Sequence, residues 1–192
     1  MNDIILASAS PRRALLLQNL GLRFITRASD IIEEHIPGET PADMVKRIAR
    51  QKALEAASFF DSGVIIGADT IVVQNDKIMG KPTNEAEAFA MLSFLSGRTH
   101  QVLTGICINN LNNGNCESEV EETRVYFRSL DPDEIISYIQ TGEAMDKAGA
   151  YGIQGKAALF VSRIEGCYFN VVGLPLNRLG LMLKKQGIDL LG

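Results

Sequence analysis

The 192-residue sequence predicts an α/β fold with a mixed, twisted central sheet and flanking helices. In the first half of the chain, strand-like and helix-like segments alternate, as they do where helices cover a sheet. In the second half, two strand-like segments, 100–108 and 118–130, flank an Asn-rich loop at 109–115, which indicates paired strands. There is no internal repeat and no low-complexity linker. We therefore expect one domain over 1–192, although the length also allows two small lobes that share a core.

The first elements are a short buried strand at 3–7 and a helix that begins at Pro11. Ser10 is expected to cap this helix, because its hydroxyl can accept from an early backbone N–H and proline suits the first helical position. Gly21 is expected to end the helix in the left-handed conformation. A second strand at 22–28 and an acidic loop follow.

The middle of the chain holds the longest helix signal and the clearest strand signal. Thr40 is placed to begin a helix that continues to about Phe59. Segment 63–73 is apolar on both alternating faces, which is typical of a strand covered on both sides. A capped helix is then expected at 84–95, with Gly97 after its end.

The last part of the chain is predicted to hold two helices and a hairpin. Asp131, with Glu134 three residues later, begins a helix as a capping box. Segments 157–166 and 167–173 predict a late hairpin. Segment 175–187 predicts a C-terminal helix.

Composition excludes several function classes. The net charge of −4 and the pI near 5.3 argue against a general nucleic-acid or anionic-membrane surface, while a local basic pocket stays compatible with them. The N-terminal residues lack the pattern of a signal peptide, and no run reaches the roughly 18 apolar residues of a membrane span. We therefore expect a cytoplasmic protein without nucleic-acid or membrane partners.

The number and spacing of the cysteines and histidines limit the kinds of catalytic site that the chain could contain. The three cysteines lack paired spacing, which argues against a disulfide framework or a zinc site. His35 and His100 lie far apart, and His100 is expected to be a hydrogen-bonded structural residue. Nothing in the spacing points to a Cys/His nucleophilic pair. Catalysis is expected to rest on carboxylates, basic groups and any metal held by oxygen ligands.

Two polar residues interrupt apolar patterns, as residues of functional sites often do. Asp69 stands alone among apolar residues, and a buried carboxylate needs a cation, a metal or hydrogen-bond donors. A functional role is favoured because ligands collect at strand ends in α/β sheets; bonds to backbone amides are the alternative. Lys52 shares a helical face with Val45 and Ile48, so it is either functional or a side chain that snorkels to solvent.

The turn Ser8–Arg13 is the third unusual feature. A strand that ends in small residues before a helix presents backbone N–H groups and a positive dipole end to an anion. Ser8, Arg12 and Arg13 add a hydroxyl and two guanidinium groups, which bind phosphate well. By itself this signal is weak. Elsewhere, Glu33 is either a solvated loop acid or a metal ligand, and Lys81 is either an exposed loop lysine or a phosphate contact.

Six features recur at similar spacing in a known family: LASASPRR, Glu33, ARQKA around Lys52, GADT around Asp69, GKP around Lys81, and DKAGAYGIQG. Together they closely resemble the Maf family of nucleotide pyrophosphatases, over essentially the whole chain. The resemblance implies an elongated, two-lobed fold like that of inosine triphosphate pyrophosphatases, with a cleft between the lobes. It also implies hydrolysis of a nucleoside triphosphate to the monophosphate and pyrophosphate.

The resemblance implies a role for each matching residue. Asp69 matches the proton acceptor that activates the water attacking the α-phosphorus. Glu33, with Asp69, is the candidate site for a divalent cation, expected to be Mg²⁺ with Mn²⁺ as the alternative. The positions that match phosphate contacts are Ser8, Arg12, Arg13, Lys52 and Lys81.

The family divides by substrate. Arg12, Thr70 and Gln154 resemble the branch that acts on dTTP and UTP, whereas the branch that acts on 7-methyl-GTP has tryptophan, glutamine and glutamate there. Gln154 offers a donor and an acceptor, which match the N3–H and carbonyl edge of uracil or thymine.

Three functions stay open from the sequence. A housecleaning pyrophosphatase for dTTP, UTP and modified pyrimidine nucleotides is favoured. The second is the same chemistry with a purine or modified-base preference. The third is a non-catalytic, nucleotide-binding regulator of septum formation, which Asp69, Lys52 and Lys81 argue against. The expected partner is the nucleotide, and a homodimer is left open.

Overall fold

The computed structural model describes residues 3–34 and 36–191, so His35 and residues 1, 2 and 192 lie outside it. It shows a mixed α/β fold with a central seven-stranded sheet, which confirms the predicted fold class. The strands are β1 (Ile4–Ala7), β2 (Phe24–Thr26), β3 (Val64–Gln74), β4 (Lys77–Met79), β5 (Thr99–Asn110), β6 (Asn115–Phe127) and β7 (Val161–Glu165). The helices are α1 (Pro11–Asn19), α2 (Pro41–Ala57), α3 (Glu85–Leu95), α4 (Pro132–Ile139), α5 (Tyr168–Val172) and α6 (Leu176–Lys185).

The sheet has the order β2-β1-β3-β5-β6-β7, and β4 pairs with β3. Strand β1 lies between β2 and β3 and is parallel to both. The pairs β3–β4 and β6–β7 are antiparallel, so the sheet is mixed as predicted. The short strand β4 was not among the expected elements.

The predicted caps of α2 and α4 form in the structure. Thr40 caps α2 by accepting from the backbone N–H of Asp43 at 3.1 Å. Asp131 and Glu134 form the predicted capping box at the start of α4. The prediction for Ser10 was wrong in part: it occupies the cap position of α1, but its hydroxyl makes no capping hydrogen bond.

The predicted late hairpin was also wrong. Only β7 is a strand there, and it pairs with β6, while Tyr168–Val172 is the helix α5. Its apolar and aromatic residues favour a strand locally, but tertiary contacts override that preference. The fully buried Asn170 amide donates to the backbone oxygen of Val102 at 2.9 Å and to Thr123 Oγ1 at 3.0 Å.

The described residues form two compact units. The first contains the chain up to Asp69, Thr104–Glu121 and the chain from Gly173 onward; its core includes Ile5, Ala49, Ala53, Ile65 and Cys107. The second contains Thr70–Leu103 and Glu122–Val172; its core includes Leu92, Phe127, Tyr138, Tyr151 and Phe160. A single domain over 1–192 stays a prediction. None of the helices in the described ranges is long and apolar enough to cross a membrane.

Candidate functional site

Two glycines let α2 lie directly on the sheet in the first unit. A Cβ added at Gly67 of β3 would lie 2.1 Å from the backbone oxygen of Ala49. A Cβ at Gly105 of β5 would lie 2.1 Å from the backbone oxygen of Val45. Because no side chain separates them, helix and strand backbones approach closely. This contact places Lys52, one turn beyond Ala49, against the middle of β3, just past Gly67, where the pairing of β3 with β1 ends.

Lys52 joins the two predicted acidic site residues. Its ammonium donates to Asp69 Oδ1 at 2.8 Å and lies 2.7 Å from Glu33 Oε1. The side chains of Lys52 and Asp69 are 12% and 7% exposed, whereas that of Glu33 is 51% exposed. Lys52 therefore does not snorkel to solvent, and Asp69 has the cation that its burial requires.

Arg13, the last residue of the turn Ser8–Arg13, is buried and makes hydrogen bonds within the protein. Its Nε donates to the backbone oxygen of Gly173 at 2.8 Å. Its Nη1 donates to Ser8 Oγ at 3.1 Å and to the backbone oxygen of Ala68 at 2.9 Å. Burial lowers the pKa of this guanidinium, and the nearby charge of Asp69 opposes that effect. Arg13 thus fixes the Ser8 hydroxyl near Ala68 of β3, and direct phosphate contact by Arg13 stays a prediction.

Ser8 and Arg12 complete the predicted turn. Ser8 is buried, and its Oγ accepts from the backbone N–H of Ser10 at 3.2 Å. Arg12 is half-buried on the first turn of α1. The first unit therefore contains six of the predicted site residues: Ser8, Arg12, Arg13, Glu33, Lys52 and Asp69.

The remaining predicted residues belong to the second unit. Thr70 is half-buried on β3, and Lys81 is exposed after β4. Gln154 is half-buried and follows the 3-10 turn Ala148–Ala150. Within this unit, the backbone N–H of Gly149 donates to the backbone oxygen of Gly80 at 3.0 Å. That bond joins the segment before Lys81 to the segment before Gln154.

Glu33 and Asp69 suit a divalent cation that takes few of its ligands from the protein. Over residues 3–34 and 36–191, no group of three His, Cys, Asp or Glu side chains is placed to hold a metal. Glu33 and Asp69 nevertheless share one ammonium, so their oxygens lie close together. Two carboxylates, with water and phosphate oxygens, are ligands that Mg²⁺ commonly uses, whereas a closed zinc site needs more protein ligands.

Sequence reasoning did not single out Gly67 and Gly105, although both shape the site. Each is an isolated glycine inside a strand-like segment, a pattern that indicates a bulge or a close backbone approach. The pattern could have indicated such an approach, but it could not have identified α2 as the element involved.

Comparison with known proteins gives consistent results. The sequence profile of the family described as Maf-like protein matches residues 3–186. A dTTP/UTP pyrophosphatase of Syntrophomonas wolfei is 53% identical, with 97% of this chain and 98% of the relative covered. A dTTP/UTP pyrophosphatase of Methanosarcina barkeri is 45% identical, with 99% and 97% covered. The Ham1 protein of Staphylococcus aureus shares the fold, with a TM-score of 0.53 over 96% of this chain and 99% of that chain, at 14% identity.

Proposed function

The chain belongs to the Maf-like protein family, and we propose that it hydrolyses dTTP and UTP to the monophosphate and pyrophosphate. Relatives that carry the name dTTP/UTP pyrophosphatase are 45–53% identical over nearly all of both chains, which supports this activity. Within the chain, the observation that carries the proposal is the placement of Lys52 between Asp69 and Glu33. A buried carboxylate with a paired ammonium beside a helix N-terminus suits reaction at a phosphate.

In this proposal Asp69 is the general base. Its bond to Lys52 uses Oδ1, so Oδ2 accepts the proton of the water that attacks the α-phosphorus. The proton leaves the water as its oxygen bonds to phosphorus, and the bond from the α-phosphorus to the bridging oxygen breaks. Pyrophosphate departs with the electrons of that bond.

The cationic groups neutralise the phosphate oxygens, which is the main requirement of phosphoryl transfer. The N-terminus of α1 supplies backbone N–H groups, and Ser8 supplies a hydroxyl that Arg13 fixes in place. The side chains assigned to the phosphates are those of Arg12, Arg13, Lys52 and Lys81. Arg13 is buried and its described hydrogen bonds go to the protein, so its contribution at the phosphates is its positive charge.

Glu33 and Asp69 are the residues that would hold a divalent cation, Mg²⁺ or else Mn²⁺. Such a cation supplies charge neutralisation at the phosphate oxygens when it is bound. Lys52 holds the two carboxylates together and offsets their repulsion. Arg12, Thr70 and Gln154 select the pyrimidine substrate, modified pyrimidines included. We also propose that the protein has a housecleaning role in the cytoplasm.

A substrate panel with Mg²⁺ tests this function. The purified protein is incubated with dTTP, UTP, CTP, ATP and 7-methyl-GTP, and the products are separated and identified. We expect dTTP and UTP to be cleaved fastest, with one pyrophosphate released per monophosphate. Faster cleavage of 7-methyl-GTP would contradict the pyrimidine assignment. Nucleotide binding without any cleavage would contradict the enzymatic proposal and favour a regulatory binder.

A further inference from the structure

The segment that carries Gln154 has an unusual backbone. Gly149 and Ala150 are consecutive residues with positive φ, at 67° and 63°. Alanine rarely adopts this conformation, and such residues persist only where the surrounding structure holds them. Strained backbone of this kind is common at ligand-binding segments.

Gly149 is held from two sides. Its N–H donates to the backbone oxygen of Gly80, next to Lys81. A Cβ at Gly149 would lie 3.1 Å from three side-chain atoms of Val72, so the segment lies close against β3 two residues beyond Thr70. Contacts at Gly149 thus link the surroundings of all three substrate residues in the second unit.

The other end of the segment is fixed by an acid. Glu143 Oε2 accepts from the backbone N–H of Lys156 at 3.1 Å. A Cβ at Gly155 would lie 2.5 Å from the same oxygen, so the chain turns tightly around this carboxylate. Gln154 lies directly before this turn and is half-buried.

Tyr151 anchors the segment to β5. Its Oη lies 2.7 Å from His100 Nε2, and both side chains are buried, at 5% and 2% exposure. The rings of His100, Phe127 and Tyr151 pack edge to face, with centroids 4.7–5.3 Å apart. His100 Nδ1 has no hydrogen-bond partner among the described atoms.

That orphan nitrogen shows what His100 contributes. A buried nitrogen without a partner is unfavourable, and an apolar ring of similar size would avoid it. Burial also lowers the pKa of His100 to about 4, so the ring is neutral near pH 7 and acts by hydrogen bonding. The hydrogen bond between His100 Nε2 and Tyr151 offsets the cost of leaving Nδ1 without a partner.

We propose that His100 is a positioning residue that acts through Tyr151 to hold the Ala148–Gln154 segment in the conformation that presents Gln154 to the pyrimidine base. This inference rests on the proposed function, because it assigns Gln154 to base recognition. His100 and Tyr151 touch neither the phosphates nor Asp69 in this mechanism. Weakening their bond therefore affects substrate discrimination rather than the chemical step.

The test compares UTP with CTP, which differ at the base edge that Gln154 is proposed to contact. In Tyr151→Phe, which keeps the ring and loses the hydroxyl, we expect the KM for UTP to rise about fivefold or more. We expect kcat to change less than twofold and the UTP-to-CTP ratio of kcat/KM to fall about fivefold or more. The control is Tyr126→Phe, which removes a 2.8 Å bond to Glu165 in the same unit and should leave the ratio unchanged.

If Tyr151→Phe fails to fold, a second pair of variants tests the same role. His100→Gln retains a group that can bond Tyr151 and should preserve the ratio, whereas His100→Leu should lower it. Equal ratios in all the variants, or a loss confined to kcat, would overturn the positioning role. Failure of the wild-type protein to cleave UTP would overturn the proposed function itself, so the two failures are distinguishable.

Discussion

Lys52 lies between two carboxylates, and its charge matters differently to each of them. Glu33 is half-exposed, so water screens its charge and the pair contributes little to stability. Asp69 is almost fully buried, and without the ammonium it would be an uncompensated charge in the protein interior. The stability supplied by Lys52 therefore depends mainly on Asp69.

The variant Lys52→Met removes the charge and keeps an apolar stem. We expect it to lower the free energy of unfolding by about 3 kcal/mol, because removal of one partner of a buried pair leaves the other unpaired. Adding Asp69→Leu should restore part of that loss. Urea denaturation at pH 7 measures both effects. The control is Lys46→Met on the same helix, and equal stability of the two methionine variants would contradict the account.

His100 makes stability depend on pH. Burial lowers its pKa to about 4, from an ordinary value near 6.5. Between these values the unfolded chain binds a proton that the native protein does not, so stability falls as the pH falls through this window. The slope is at most about 1.4 kcal/mol per pH unit.

The variant His100→Gln isolates this effect. We expect wild-type stability to fall by about 3 kcal/mol more than that of the variant between pH 7 and pH 4. Carboxylates titrate in both proteins, so the difference between the two curves reports His100. Urea unfolding at several pH values measures it, and parallel curves would show that the native histidine is not held neutral.

At the scale of elements, the contact of α2 with β3 and β5 positions the charged residues. The helix buries Ala49 and Ala53 completely, and its backbone meets the two strands where each has a glycine. The predicted apolar face of α2 is correct, and the Thr40 cap begins the helix as expected. The distance between Lys52 and Asp69 follows from this packing.

A methyl group at Gly67 should therefore damage the site without changing any charge. In Gly67→Ala the new Cβ would overlap the backbone oxygen of Ala49, which forces α2 away from the sheet. We expect a loss of about 2 kcal/mol or more in the free energy of unfolding, with reduced turnover of dTTP.

Gly180→Ala in α6 is the matched control, since its Cβ would meet only Leu190 Cδ1 at 4.0 Å. It should raise stability by about 0.5–1 kcal/mol, because alanine favours the helix over glycine. Denaturation curves and initial rates of both variants check the pair. A Gly67→Ala protein with wild-type stability and turnover would contradict the packing described here.

At the scale of the whole molecule, local signals predicted most elements and long-range contacts account for the errors. The capping box at Asp131 and the buried pattern of β3 depend on neighbouring residues, so the sequence revealed them. The helix at Tyr168–Val172 depends on bonds from Asn170 to strands at least 47 residues away in sequence. No local pattern contains that information.

The site was predictable to a similar extent. The lone Asp69 indicated a need for a cation, and Lys52 was noticed because it shares a helical face with Val45 and Ile48. Only the fold shows that the ammonium of Lys52 is the cation that pairs with Asp69. Arg13 was expected at the phosphates because guanidinium groups bind anions. Its bonds to Ser8 and to two backbone oxygens arise from packing that the sequence does not display.

In the proposed mechanism Asp69 activates the water for hydrolysis, and other groups bind the nucleotide. The role of Asp69 is tested by the turnover of dTTP by Asp69→Asn, measured as pyrophosphate release with Mg²⁺. Asparagine keeps the shape and removes the base, so we predict a fall of about 1,000-fold, while dTTP still raises the melting temperature. Asp61→Asn, at an exposed position, should turn over like the wild type. Turnover of Asp69→Asn within tenfold of the wild type would contradict the account.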